Sequence, residues 1–371
     1  MTKSAFHAKI TPKDKKSNFY MIGKKQRDIR EDNKSVVIDC LLRSQMTLAD
    51  LEQQLKLSHT ALRKVMSELM QLNIVRVIDI KAGDMGRPSA HYDINPDCGF
   101  AAAVCLGVRR LEIFVVDMKG LQINEFISEN EFSCAEELFE FTKNKLKTLL
   151  EHYRIKSAKL STVCVSLPLK GVGVSDFEQS ENLLKNGFYH SFGGAEVIVK
   201  NNNDFWATGE SKYGALHHYC SGALLCEIEG EASCSLFFDH INYSGEKIEK
   251  GSINSLSDSD VLQLLEGVCN EQWTLIAKKY RAGDIATVKN VNGALSPLID
   301  KISILAFLLC VPLVIVGGLV RELGDGFLNE INRALQKKSN AKAVYSEITG
   351  RSPSCAGAVW CASYTSLKKL L

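Results

Sequence analysis

The chain has 371 residues, 45% of them hydrophobic and 24% charged, which excludes a disordered or fibrous polymer and predicts two or three packed domains. Its net charge of +2 hides an asymmetry, because residues 1–95 hold 17 Lys/Arg against 11 Asp/Glu while the remainder holds 28 against 32. A basic front on a mildly acidic body suits a nucleic-acid module joined to something that binds no nucleic acid.

Residues 1–34 carry ten Lys/Arg against four Asp/Glu. Residues 1–30 read as a basic, solvated arm. No secretory signal is expected, since Lys3 to Lys34 is polar throughout. Ser35 to Arg43 predicts a first helix with Val36, Val37, Cys40 and Leu41 facing inward. Thr47 predicts the cap of a second helix, with Asp50 completing a capping box and Leu48, Leu51 and Leu55 facing a small core. Ser58 caps a third helix, whose apolar stripe is Leu62, Val65, Met66 and Leu69. Asn73 stands where a left-handed residue would end it. Val75 to Ile80 and His91 to Ile94 read as two strands around a Gly-rich tip.

Residues 31–95 therefore predict a winged helix-turn-helix. Ser58, His59, Thr60, Arg63, Lys64 and Ser67 are the candidate DNA contacts on the third helix, and Lys81 and Arg87 those on the wing. A capped helical hairpin would show the same periodicity. The wing and the charge pattern favour DNA. Gly86-Arg87-Pro88 suits an Arg inserted in a narrow minor groove, and equally a plain turn with an exposed Arg.

From residue 96 to residue 371 strands and helices alternate. Ala101 to Cys105 and Leu111 to Asp117 predict a hairpin, and Ala135 to Tyr153 a helix. Leu160 to Leu167 and Glu196 to Lys200 predict strands, then a helix begins at Phe205. Ala223 to Ile228 and Ser233 to Phe238 form a second hairpin, followed by a helical stretch from Ser259 to Tyr280. Pro297 to Cys310 reads as a helix, Leu313 to Val316 as a strand, and Gly324 to Lys337 as a helix. Ala343 to Tyr345 is a short strand and Ser354 to Leu371 the closing helix. Two early hairpins among mixed elements indicate an α/β body with two lobes. The uncharged run Ile302 to Val320 is long enough to span a membrane. Pro312 and Gly317-Gly318 divide it, so a buried helix followed by a buried strand is expected, without membrane insertion. Twelve cysteines form no C-x-x-C pair and sit singly among apolar residues, which predicts a reducing cytoplasm and no disulfide framework.

The order of motifs resembles the ROK family, named for repressors, open reading frames and sugar kinases, and in particular its Mlc- and NagC-like repressors. The resemblance covers about residues 30–365. It rests on the helix-turn-helix, Gly86-Arg87-Pro88, Asp93-Ile94-Asn95-Pro96, and a first hairpin over Val104 to Gly120. Asn203-Asp204-Phe205-Trp206-Ala207-Thr208-Gly209-Glu210 matches the N-D-x-x-A-x-x-G-E stretch. Val314-Ile315-Val316-Gly317-Gly318 and Ala356-Gly357-Ala358 complete the set. The resemblance implies a winged helix followed by a two-lobed, actin-like (RNase H-like) body. It also implies homodimers or homotetramers on a double-stranded operator, and a sugar or sugar-phosphate effector.

Departures from the family pattern set the expected chemistry. The D-x-G-x-T hairpin that kinases of this kind need is replaced by Cys105, Gly107 and Arg109. The second phosphate loop corresponds to Glu229-Gly230-Glu231-Ala232-Ser233. At about 4 Å, each carboxylate there would oppose a phosphate charge by roughly 1–4 kcal/mol. The zinc pattern is absent, with no cysteine between Cys234 and Cys269, and Gly251-Ser252-Ile253-Asn254 lacks the family's sugar-gripping Glu and His. Asn203 and Asp204 survive as candidate ligand-binding residues, or as caps of the helix beginning at Phe205. The expectation is a non-enzymatic DNA-binding regulator without cofactor, metal or catalytic residues, controlled by a small molecule or a protein partner. A sugar kinase carrying a DNA head is one alternative. A protein whose body only joins the heads is another.

Overall fold

The computed structural model describes residues 26–83, 86–107, 110–153, 155, 160–218, 222–229, 231–238, 241–243, 270–348 and 351–371. The basic arm through residue 25, Arg109 and the Gly251 to Asn254 stretch lie outside the described residues.

The N-terminal module begins with α1 (Gln26–Arg43), which starts nine residues before the helix expected at Ser35. Next come α2 (Leu48–Leu55) and α3 (His59–Gln71), then a hairpin of β1 (Val75–Gly83) and β2 (Gly86–Ile94). The capping box is formed: Asp50 N donates to Thr47 Oγ1 at 3.2 Å, and Thr47 N donates to an Asp50 carboxylate oxygen at 2.9 Å. Ser58 caps α3, and Asn73 follows that helix at φ 59°. Leu62, Val65, Met66 and Leu69 are all buried. They meet Val37, Ile38 and Leu41 of α1 and Leu51 of α2 in one cluster. Met46 exchanges two backbone hydrogen bonds with Tyr92, adding a bridge beside the wing.

Thr47→Ala is expected to destabilise the module by about 1 kcal/mol. The Thr47 hydroxyl and backbone hold the Asp50 carboxyl below its ordinary range. A depressed carboxylate stabilises above its unfolded pKa and loses that contribution as pH falls through the folded one. The gap between wild-type and Thr47→Ala melting temperatures should therefore narrow as pH drops below about 4. A gap unchanged in acid would show that the box contributes nothing through Asp50.

Among the described residues the body contains two five-stranded sheets of one topology. In the first, β3 (Phe100–Leu106), β4 (Leu111–Asp117) and β5 (Gln122–Ser128) form an antiparallel meander. Helix α4 (Ala135–His152) leads to β6 (Leu160–Leu167), parallel to β3. Helix α5 (Phe177–Ser191) leads to β7 (Glu196–Asn201), giving the order β5-β4-β3-β6-β7. Helix α6 (Asn202–Tyr213) crosses to the second sheet. That sheet has a meander of β8 (Ala223–Glu229), β9 (Glu231–Phe238) and β10 (Ile241–Tyr243), then α7 (Asn270–Arg281), α8 (Ile285–Leu308) and β11 (Leu313–Gly318). Helix α9 (Asp325–Gln336) and β12 (Lys342–Tyr345) complete the order β10-β9-β8-β11-β12. Each sheet thus runs third, second, first, fourth, fifth strand, the RNase H-like arrangement, and the pair makes an actin-like body. Helix α10 (Pro353–Lys369) returns to cover the first sheet.

Further elements besides α1 differ from expectation. β5 and α5 carry no strong apolar signal and were not anticipated. α8 begins at Ile285 under an Asp284 cap and runs through Pro297, twelve residues earlier than the proline-initiated helix expected. It is the one described helix long and apolar enough to cross a membrane. Here Leu295, Leu298, Ile302 and Ala306 are buried against the second sheet. The helix stops at Leu308 and β11 starts at Leu313, so the uncharged run is divided between two elements.

The cluster beneath the winged module continues into the body. Leu41, Leu62 and Ile94 belong to the same buried group as Ala103 of β3 and Val359 and Leu367 of α10. Lys119 also pairs with the buried Asp93 at 2.5 Å, fixing the end of β2 to the β4–β5 turn.

Candidate nucleic-acid interface and interlobe cleft

Helix α3 has one buried face and one bare face. Ser58, His59, Thr60, Arg63, Lys64 and Ser67 are all exposed. The helix carries one acidic residue, Glu68, and α1 engages it. Arg30 Nε donates to it at 2.8 Å, the Arg30 terminal nitrogen makes a second contact, and Lys34 Nζ lies 3.4 Å away. That pairing offsets the negative charge that Glu68 places one turn from Lys64. The positive N-terminal end of α3, where Ser58 caps the Ala61 N–H, shares the surface with His59 and Thr60. Lys81 lies in β1 opposite Ser89, and Arg87 lies in β2 just after the tip. Their side chains, and residues 84–85 at the tip, lie outside the described residues.

Between the two sheets lies a cleft of about 630 Å³. Arg110 and Glu112 line it from the first lobe, Glu227 and Gly317 from the second, and Arg351 and Ser352 from the connection into α10. Glu112 is 1% exposed. Ser352 N donates to its carboxylate at 3.2 Å, the Ser352 hydroxyl also contacts it, and Arg110 Nη2 lies 3.0 Å away. Ser352 is the N-cap of α10, where its oxygen accepts from Cys355 N. The carboxylate therefore occupies the positive end of that helix, the place a bound anion would take. Arg351 lies over the Phe114 ring, 5.0 Å from its centroid, and Arg321 donates to the Ile348 carbonyl at 2.9 Å.

Cys105, at the position where the kinase pattern has its Asp, is buried and directly opposite Glu112 in the β3–β4 ladder. The nearest carboxylate thus sits one strand away and is already bonded to protein donors. Glu229 and Glu231 flank the β8–β9 turn, and their side chains lie outside the described residues. Glu112 and Ser352 were not singled out from sequence. A charge between apolar neighbours, in Leu111-Glu112-Ile113-Phe114, was the available signal.

Asn203 and Asp204 do not start the helix at Phe205. Helix α6 starts at Asn202, and its cap is Asn201, whose side-chain oxygen accepts from Asp204 N at 2.9 Å. The Asn201-Asn202-Asn203 run offers three cap-forming side chains. The first is used because β7 pairing ends there, with Asn201 opposite Leu167. Asn203 is buried, and its carbonyl oxygen accepts from Ser233 of β9 at 3.2 Å, a link between lobes. An Asp204 carboxylate oxygen accepts from Asn201 Nδ2 at 2.9 Å. Asn202 lines the cleft and donates to the Leu106 carbonyl at 3.0 Å.

A three-helix module with a wing, followed by two RNase H-like lobes, defines the class of the fold. Solved structures of ROK proteins share this fold. A ROK family transcriptional regulator, a homologue of the E. coli Mlc protein, matches with TM-score 0.71 and 16% identity over 92% of this chain and 98% of its own. A ROK family glucokinase from Streptomyces griseus, solved with glucose and AMPPNP, matches with TM-score 0.56 and 16% identity over 71% of this chain and 99% of its own. The Lmo2764 protein from Listeria monocytogenes, a putative N-acetylmannosamine kinase, matches with TM-score 0.55 and 15% identity over 72% and 98%. No protein-family model and no curated protein matches the sequence.

Proposed function

We propose that this chain is a sequence-specific DNA-binding regulator of the ROK type, a repressor of sugar-related genes. Residues 31–95 read the duplex and residues 96–371 form the body that controls them. The observation that carries the reading is the bare basic face of α3, with Ser58, His59, Thr60, Arg63, Lys64 and Ser67 exposed opposite a fully buried stripe. A helix presented in this way inserts its N-terminal end in the major groove. The regulator's likeness extends over about a fifth more of this chain than the glucokinase's, an extent similar to the winged module. That difference supports a head which such kinases do not carry.

The body acts in this reading as a non-enzymatic sensor in the cytoplasm, without cofactor. Cys105 in place of an Asp, and Glu112 bonded to Ser352 at the start of α10 and to Arg110, support a body that does not use that carboxylate for magnesium or that helix end for phosphate. A sugar, a sugar phosphate or a protein partner changes the relation of two heads in a homodimer or homotetramer, with Asn203 and Asp204 as candidate ligand contacts. Such control requires the effector to bind one arrangement more tightly than the other.

Lys81 and Arg87 extend the interface along the wing. Arg87→Ala should weaken binding to duplexes with A/T-rich flanks more than to those with G/C-rich flanks. Equal losses on both would reject minor-groove insertion. The kinase alternative is tested by a coupled ATP-consumption assay with a panel of hexoses, where no turnover is expected.

A further inference from the structure

Three charged side chains join the first helix of the winged module to the third. Arg30 and Lys34 stand one turn apart on α1 and so share a face. Both meet Glu68 of α3. Arg30 Nε donates to one Glu68 carboxylate oxygen at 2.8 Å, and the Arg30 terminal nitrogen contacts the other oxygen. Lys34 Nζ lies 3.4 Å from the oxygen that Arg30 Nε bonds. The Glu68 side chain is 16% exposed and that of Lys34 11%, so both charges depend on each other more than on water. Two cations on one carboxylate are one more than neutralisation needs. A covered ion pair also adds little stability over an apolar contact of the same shape. The cluster therefore calls for a role besides packing.

The position of Glu68 suggests that role. At 3.6 residues per turn it falls about 40° around α3 from Lys64, at the edge of the exposed face. It is the one acidic residue of α3. An uncovered carboxylate there would have two effects. It would attract Lys64, one turn before it. It would also stand beside any phosphate that Arg63 or Lys64 reached, like charge against like charge. The α1 cations oppose both effects. Arg30 engages both carboxylate oxygens, the paired geometry that fixes orientation as well as charge. The Arg30 side chain is itself 47% exposed, so the flank of the reading face presents positive charge where the bare α3 sequence would present negative.

We infer that Arg30 and Lys34 are positioning residues for DNA recognition: they hold Glu68 out of the interface and leave Lys64 to the duplex backbone. The inference rests on the proposed reading of α3. It makes α1 part of the recognition unit without any contact to a base. Arg30 and Lys34 act through Glu68, so their effect on binding exists only while Glu68 carries its charge. That dependence separates positioning from a general attraction between a basic surface and a polyanion, which needs no particular partner.

The test is a double-mutant cycle on the full chain, read by fluorescence anisotropy with a duplex retained from a random pool. Arg30→Gln with Lys34→Gln uncovers Glu68 and should weaken binding by about five- to tenfold. Adding Glu68→Gln to that protein should recover about fivefold, whereas Glu68→Gln in the wild type should change affinity by less than about twofold. Equal gains from Glu68→Gln in both backgrounds are a net-charge effect and overturn the inference. A triple variant that binds as weakly as Arg30→Gln/Lys34→Gln also overturns it, because the cations would then grip phosphate themselves. Melting curves accompany each variant. Should the paired change unfold the module, Arg30→Gln alone takes its place in the cycle, with a smaller coupling of the same sign. Wild-type protein that binds no duplex refutes the reading of α3 and this inference with it. Wild-type protein that binds, with no coupling in the cycle, refutes the inference alone.

Discussion

Arg63→Ala is expected to weaken binding to a selected duplex by roughly ten- to a hundredfold and to broaden the sequences accepted. The side chain is exposed on α3, so its loss should leave the melting temperature unchanged. A bidentate Arg–guanine contact supplies about 1–3 kcal/mol of discrimination, which sets the size of the effect. Lys64→Ala should behave differently, with a smaller loss spread evenly over sequences and a salt slope reduced by about one. Fluorescence anisotropy with labelled duplexes reads both. An Arg63→Ala protein that binds as tightly and as selectively as wild type would show that α3 is not the reading helix.

Gly357→Ala is expected to damage the body more than any surface change. Helices α6 and α10 cross where two glycines face each other. A Cβ at Gly357 would overlap the Phe205 carbonyl oxygen and approach Gly209 N to 2.8 Å. A Cβ at Gly209 would meet the Pro353 carbonyl oxygen at 2.6 Å. These obstacles are backbone atoms, so relief requires moving a whole helix. The cost should reach the upper end of the about 1–3 kcal/mol typical of overpacking, a fall in Tm of roughly 5–10 °C. Because both helices begin at the cleft, the change should also alter its mouth, at Asn202 and Ser352. An unaltered melting curve would mean that the two backbones do not approach this closely.

The parts of this fold that the sequence announces are those with strong local signals. Thr47 with Asp50, Ser58 and the Leu62-Val65-Met66-Leu69 stripe fix α2 and α3 from neighbouring residues alone. Hairpins with continuous apolar strands, such as β3 and β4, were equally plain. β5 was not, because Gln122–Ser128 is an edge strand with no fully buried residue, and its polar alternation is weak. In α5 only Ser180, Leu184 and Phe188 are buried, a stripe too narrow to stand out in Phe177–Ser191. Pro297 misled because proline favours the first turn of a helix. Here it is carried inside α8, whose Asp284 cap lies far upstream.

The site divides in the same way. The exposed face of α3 follows from the helix period once the apolar stripe is known. The cleft does not, because Glu112 and Ser352 are 240 positions apart and only the return of α10 onto β4 brings them together. Likewise Asn201, and not Asn203 or Asp204, caps α6 because sheet pairing determines where β7 ends. Local residue preference could not choose among three consecutive asparagines.

The most direct test of the account is selection from a pool of random duplexes by the purified full chain, read by sequencing the retained fraction at rising salt. An enriched sequence motif is predicted, held with an affinity that falls steeply as salt increases and lost in the Arg63→Ala protein. A retained pool no different from the input, at low salt as well as high, would contradict it.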